Sequence, residues 1–493
     1  MGIEIDRTEF SPGDYRRFSR RLDENLEALS VLLADPGFGR GPASLGAELE
    51  MYLVDAAGRP LFANQEILAD AADPHLTLEL NRYNLEYNLS PFRLDQSAFL
   101  STEREILARL ERLRAVAASH GGRIVPIGIL PTLRQTDFGA HCITDRRRYH
   151  ALVLQLIKRR GDQFKINING EDPLKLDMAD ITLEGANTSF QVHYRVDPAE
   201  YADTFNAFQL VTPLALAIGA NSPTLFGHRL WHETRIPLFK QSIDTRHVDR
   251  YGWNEPARVN FGQGWARRGA LELFREVARI YPPLLPICAS RSAAEELAAG
   301  LTPALAELRL HQSTVWLWNR PIYDDADGGH LRIEMRALPA GPTAVDMVAN
   351  AAFLIGLAEG IRPQLEALLP GLPFSKAEYN FYRAAQHGLD AHLLWPAPDQ
   401  SGYREQGVKA IIAANLPLAR VGLESIGVAA AEAERYLRVI EQRLERGRTG
   451  ATWQRDMLAK LGRTLPPEAA LHQLLEIFIG HSEANLPVSE WPL

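Results

Sequence analysis

The chain has 493 residues, 46% hydrophobic and 23% charged, the composition of a globular protein large enough for one sizeable core and an appendage. A formal charge of -8 and a pI near 6.0 exclude a general nucleic-acid binder, whose affinity would come from Lys and Arg neutralising phosphate. The two cysteines, Cys142 and Cys288, stand far apart without C-x-x-C spacing, which excludes a disulfide scaffold or structural zinc and points to a reducing cytoplasm.

The N-terminus lacks the basic and apolar regions of a signal peptide, and Asp6 stands where a myristoylation motif on Gly2 would need Ser or Thr. Residues 1–40 read as a helical lead-in packed on the outside, with Tyr15, Phe18, Leu22, Leu26 and Leu29 at helical spacing. A strand follows. Because side chains alternate with period two, Gly46 to Val54 groups Glu48 with Glu50 and sends Ala47, Leu49, Met51 and Leu53 into the core. A second strand region, Leu76 to Leu89, pairs Glu86 with Asn88; Glu79 lies seven residues earlier and shares their face only if the polar Asn81-Arg82-Tyr83-Asn84 patch is a turn or bulge.

Thr102 and Glu105 form an expected capping box for a helix ending at Gly121-Gly122, and Arg123 to Leu130 reads as a buried strand. The basic runs Arg146-Arg147-Arg148 and Lys158-Arg159-Arg160 read as solvated faces. His141 and Cys142 are neighbours, so on a strand they would face opposite ways and are not expected to act as a nucleophile pair. A third strand, Ser189 to Arg195, aligns Gln191, His193 and Arg195. The apolar run Leu210 to Ala220 is about half the length needed to span a bilayer, and no membrane anchor is expected. The donor-rich stretch Asn221 to Arg246, which contains Arg235, reads as a binding loop. A fourth strand, Leu331 to Arg336, aligns Arg332, Glu334 and Arg336. Thr343 to Ile361 reads as a helix, and residues 396–493 as a helical C-terminal unit, leaving 41–395 as the central domain.

Alternating charge on one strand usually means a solvated sheet face. Four such strands carrying carboxylates, an imidazole and guanidiniums read instead as the inside of a metal and nucleotide site. Hard divalent cations take oxygen ligands and bridge phosphates, and several close carboxylates need a cation to offset their repulsion. Arg332 and Arg336 offer forks for a carboxylate or phosphate. The Gly37 to Gly41 stretch lacks the lysine and hydroxyl of a P-loop, so ATP would be held another way.

In this order, Gly46-Ala47-Glu48-Leu49-Glu50, Leu85-Glu86-Tyr87-Asn88, Asn187 to His193, Asn221-Ser222-Pro223 and Arg332-Ile333-Glu334-Met335-Arg336 resemble the plant-type and bacterial glutamate-cysteine ligase family, including the carboxylate-amine ligases, over residues 41–360. The resemblance implies an α+β fold with a curved antiparallel sheet of the glutamine synthetase catalytic type, flanked by helices. It implies two or three magnesium ions, or manganese, on Glu48, Glu50, Glu86, Glu334 and His193, with Glu79 as an extra ligand. It also implies that Gln191, Arg235, Arg332 and Arg336 contact ATP or the acidic substrate. The implied reaction is ATP-dependent joining of the γ-carboxylate of L-glutamate to the amine of L-cysteine or another amine through an acyl phosphate, in a cytoplasmic enzyme that needs no nucleic acid or membrane and can be a homo-oligomer. A metal-dependent hydrolase, or a nucleotide-binding scaffold without turnover, are the readings of another class. The Gly447-Arg448-Thr449-Gly450 stretch lies outside the best match and reads as a helix-ending turn.

Overall fold

The structure is a computed structural model and describes Ile5 and residues 7–246, 255–396 and 402–493. Its centre is a curled antiparallel sheet of seven strands. These are β1 (Ser44–Val54), β2 (Leu76–Leu78), β3 (Asn84–Arg93), β4 (Arg123–Val125), β5 (Phe190–Val196), β6 (Asn319–Asp324) and β7 (His330–Met335). The order is β6-β7-β5-β1-β3-β2, with β4 extending the far end of β1. β6 is an edge strand, where Pro321, having no N–H, is tolerated.

The strand alternation works as the sequence implies. Ala47, Leu49, Met51 and Leu53 of β1, Phe190, Val192 and Tyr194 of β5 and Leu331, Ile333 and Met335 of β7 enter one buried core. Two helices lie in that core, α4 (Tyr201–Gly219) and α5 (Ala344–Ile361), each apolar around nearly its whole circumference. The stretch Ala344–Gly371 contains an 18-residue window long and apolar enough to cross a membrane, but that window is wholly buried inside the protein.

Around this centre lie α1 (Pro12–Ala34), α2 (Ala98–Ser119), α3 (Arg147–Arg160), α6 (Val408–Ser425), α7 (Ala430–Arg446), α8 (Gly450–Leu461) and α9 (Pro467–Glu483). α6 crosses α5 so closely that a Cβ on Gly422 would lie 1.9 Å from the Gly356 carbonyl oxygen; only glycine permits this approach. α1, α6 and α7 contribute Phe18, Leu26, Ile412 and Tyr436 to the sheet core. α8 and α9 close a second core, where Trp453 and Phe478 meet Val54, Val125 and Ile127.

Several local expectations need correction. Thr102 and Glu105 are no capping box: α2 begins four residues earlier at Ala98, the Thr102 hydroxyl donates to the Ala98 carbonyl at 2.9 Å, and Glu105 accepts from the Ser90 amide at 3.0 Å. The strand after Gly122 stops at Val125, and Pro126 to Leu130 is buried but irregular. The donor-rich stretch after Asn221 is no open loop. It folds into a short hairpin and the helix Arg235–Ser242, with Asn221, Ser222, Glu233 and Arg235 all buried because they hydrogen-bond to one another and to nearby backbone. Gly447-Arg448-Thr449-Gly450 is a turn between helices: Gly447 ends α7 in the left-handed region at φ 60°, and Thr449 caps α8.

Candidate active site

The sheet register brings the charged positions together. Glu48 lies opposite Gln191 of β5 and Asn88 of β3, and Glu50 lies opposite Glu86. On the other side of β5, His193 lies opposite Glu334, which in turn lies opposite Arg320 of β6. Two triads result. Ligand atoms of Glu48, His193 and Glu334 fall within 4.8 Å of one another, as do those of Glu50, Glu79 and Glu86. His193 Nε2 stands 3.1 Å from Glu48 Oε1 and 3.7 Å from Glu334 Oε1. All six residues expected as ligands are therefore gathered in two adjacent groups.

Glu79 joins by the turn that its strand parity requires. β2 ends at Leu78 and β3 starts at Asn84, and buried Asn81 fixes the reversal by donating to the Tyr83 hydroxyl at 2.7 Å and the Thr182 carbonyl at 2.8 Å. Thr144 adds a bond to the Glu79 carbonyl at 2.6 Å.

The triads differ in electrostatics. Burial raises both Glu48 and Glu334, yet each ends below the usual carboxylate range, Glu48 chiefly through His193 and Glu334 chiefly through Arg320, Arg336 and His193. In the second triad the offsets, Arg336 acting on Glu50 foremost, do not overcome burial. Glu86 is pushed up to about 8 by burial and then by Glu48 and Glu50. Glu79 goes well above its ordinary value through burial and then Glu86, Glu50 and Glu184. Glu50 is also raised by burial; its oxygens accept from the Ser189 amide at 2.6 Å and Gln191 Nε2 at 2.7 Å. Three carboxylates this close, with no cationic side chain among them, form an all-oxygen donor set that fits a hard divalent cation. The first triad adds one imidazole, and its Nδ1 is buried with no partner among the described residues.

This arrangement has a testable pH consequence. A carboxyl raised in the folded state holds its proton more tightly than in the unfolded chain, so the stability it contributes is present below the unfolded value and lost as pH rises through the folded one. In chelator, thermal stability is therefore expected to fall between about pH 5 and about pH 8.5, the window set by Glu86 and Glu184 near 8. Magnesium should restore more stability at the upper pH than at the lower. Equal magnesium stabilisation at both ends would remove these carboxylates from the effect.

A cavity of about 490 Å³ is lined by Glu50, Glu79 and Glu86 of the second triad and by Glu48 of the first. Gln191 and Arg336 line it, and Arg336 Nη1 donates to Gln191 Oε1 and to Glu334 Oε2 at 3.2 Å. Arg235 and Arg332 do not line it. Arg235 is 2% exposed, pairs with Glu233 at 3.2 Å and donates to the Ala337 carbonyl, so it braces the chain after β7. Arg332 pairs with Asp324 at 3.1 Å.

The cavity also contains residues that the sequence reading passed over. Arg146 and Arg148 enter it from the start of α3, so that basic run is not merely a solvated face. Arg148 reaches Ser313 at 3.2 Å, and the neighbouring Tyr149 hydroxyl donates to the Leu78 carbonyl at 2.6 Å, tying α3 across the sheet. Glu184 faces the same space and is pushed up to about 8 by burial and then by Glu50. Arg320 grips Glu334 with two prongs. The available signal for Arg320 was alternation in Asn319 to Asp324, masked by Pro321 and by the edge position. Cys142 is buried, with its thiol pushed up to about 12 by burial, which suits an inert core residue.

Comparison with known proteins adds three findings. The family described as glutamate-cysteine ligase family 2 matches residues 44–473. A putative glutamate-cysteine ligase 2-2 of Mycolicibacterium vanbaalenii is 35% identical over 108 residues, which is 22% of this chain and 28% of that protein. Among solved structures, the glutamate-cysteine ligase of Francisella tularensis in complex with AMP aligns with a TM-score of 0.52 and 11% identity, over 92% of this chain and 91% of that one. At that identity the likeness concerns the fold.

Proposed function

From the premise that this chain belongs to glutamate-cysteine ligase family 2, we propose that it is an ATP-dependent carboxylate-amine ligase. The observation that carries the reading is the pair of adjacent donor triads beside one cavity, which Glu48 and the whole second triad line together with Arg320 and Arg336. Glu48, His193 and Glu334 would hold one divalent cation, and Glu50, Glu79 and Glu86 another. When bound, such ions neutralise and orient phosphate and carboxylate oxygens.

The chain's own residues would do the rest. Arg336 and Arg320 offer guanidinium forks to the charge that moves from the acid to the transferred phosphoryl group. Gln191, held between Glu50 and Arg336, keeps those opposite charges in fixed positions. The acid's carboxylate oxygen bonds to the γ-phosphorus and ADP leaves; the amine nitrogen then bonds to the acyl carbon, phosphate leaves, and the nitrogen gives up a proton. Glu184, which lines the same cavity, would take that proton in its ionised form. No covalent nucleophile on the protein is needed.

We assign L-glutamate as the acid and L-cysteine as the amine, with another amine as the alternative. A cytoplasmic setting accords with two free cysteines, Cys142 buried and Cys288 half-buried. The test is ADP and phosphate release with ATP, magnesium and L-glutamate across a panel of amines, with product mass determined. A cysteine-dependent γ-glutamyl product is expected. Turnover only with another amine would change the substrate, and hydrolytic turnover without ATP would replace the ligase reading.

Arg336→Lys is expected to lower kcat at least about a hundredfold with a smaller change in thermal midpoint, because a lysine ammonium can take over the Nη1 contacts to Gln191 and Glu334 but leaves the cavity without the other guanidinium N–H donors. Unchanged kinetics would exclude Arg336 from the reaction.

A further inference from the structure

Arg320 meets Glu334 through both oxygens at once: Nε donates to Oε2 at 2.7 Å and Nη2 to Oε1 at 2.8 Å. The pair is directly cross-strand, and the side chains are only 12% and 2% exposed. Glu334 Oε1 is also the oxygen that stands 3.7 Å from His193 in the first triad, and Arg336 presses on Oε2 at 3.2 Å. A two-pronged guanidinium takes one in-plane lone pair on each carboxylate oxygen, and the Arg336 contact takes the second on Oε2. A divalent cation bound there approaches a carboxylate oxygen to about 2.0–2.1 Å along those same directions. One lone pair on Oε1 is left, so a cation that chelates both Glu334 oxygens must displace a prong of Arg320.

We infer that Arg320 is a positioning residue that takes the cation's place on Glu334 in the metal-free protein and yields at least one prong when a divalent cation binds. This deepens the ligase reading above and rests on the first triad being a metal site. The arrangement serves two ends. It holds Glu334 aimed at His193 in a buried position. It also stores a guanidinium beside the cavity, since Arg320 lines that space and has its remaining Nη1 on the Gln312 carbonyl at 3.3 Å. Once released, a prong of Arg320 points its N–H groups at the space where a phosphate or carboxylate would sit.

The inference makes a prediction opposite to that for a purely structural ion pair. In the full-length protein without nucleotide, manganese titrated by electron paramagnetic resonance should bind the Arg320→Gln variant at least about threefold more tightly than the wild type, because the competitor is gone. Arg320→Lys, which keeps the charge but loses the fork, should fall between them. Arg146→Ala removes a positive charge from the same cavity without touching Glu334 and serves as the control, with less than about a twofold change. Manganese affinity in both Arg320 variants equal to or weaker than wild type would overturn the inference, as would equal tightening in Arg146→Ala, which would reduce the effect to net charge. Absence of saturable manganese binding in the wild type would instead sink the metal-site reading and the inference with it. Nucleotide-free titration keeps these outcomes separate from any loss of turnover.

Discussion

Glu50→Gln is expected to abolish ATP-dependent ligation while leaving a folded protein. Both Glu50 oxygens are engaged, one by the Ser189 amide and one by Gln191 Nε2, and glutamine would present an NH2 group to one of these donors. The substitution also removes one of three carboxylates in a triad that has no other charge to offer a cation. A loss of at least about a thousandfold in kcat, on the order of 4 kcal/mol, is expected. Because Glu50 is a buried carboxyl raised by its surroundings, its neutral isostere relieves desolvation and repulsion, and the thermal midpoint in chelator should stay within a few degrees of wild type. Coupled ADP release and circular dichroism on the same preparation decide the matter. Near-normal turnover would remove Glu50 from the metal set, and a collapsed midpoint would make its role structural.

The second large effect concerns stability at a distance from the cavity. Arg443 of α7 is 1% exposed and donates to Asp346 Oδ1 at 2.7 Å, the Asp346 carbonyl at 3.0 Å, Asn350 Oδ1 at 2.6 Å and the Ile218 carbonyl at 3.2 Å. One side chain thus joins α7 to the start of α5 and the end of α4. Asp346 is itself fully buried and caps α5 with Thr343 while accepting from the Val488 amide at 3.0 Å. Arg443→Ala leaves that carboxylate buried and uncompensated, and a loss of about 3–5 kcal/mol is expected in urea unfolding. Pairing Asp346→Asn with Arg443→Met should recover part of the loss, because no unpaired charge then remains. Additive losses in the double variant would mean that the residues stabilise independently.

What could be read from the sequence divides along physical lines. Period-two alternation is a local property, so the faces of β1, β5 and β7, and with them Glu48, Glu50, His193 and Glu334, were legible residue by residue. Glu79 required a turn to restore parity, and the polar Asn81 patch signalled it. Pairing between strands is not local. Nothing in the string says that β6 lies beside β7, so Arg320 could not be placed opposite Glu334, and Arg332, two residues from Glu334, looked equally suited to the site. Its partner Asp324 draws it away. Arg235 misled for a related reason: a donor-rich segment looks the same whether its partners are a ligand or its own buried backbone. Arg146 and Arg148 came from a helix whose placement over the sheet depends on side-chain ties to Ser313 and Leu78.

Helix α5 has a consequence for how this protein must be made. All 18 of its residues are buried in the finished fold, yet α6 and α7, which cover it from the C-terminal side, follow later in the chain. Translation ends α5 at Ile361 and finishes α7 at Arg446, 85 residues later, a delay of about 4–17 s at bacterial to eukaryotic elongation rates. During that interval a helix with the apolarity of a membrane span leaves the ribosome without its final neighbours. Chains cut near residue 396 should therefore be captured by holding chaperones or aggregate, although every charged residue of both triads has already been synthesised.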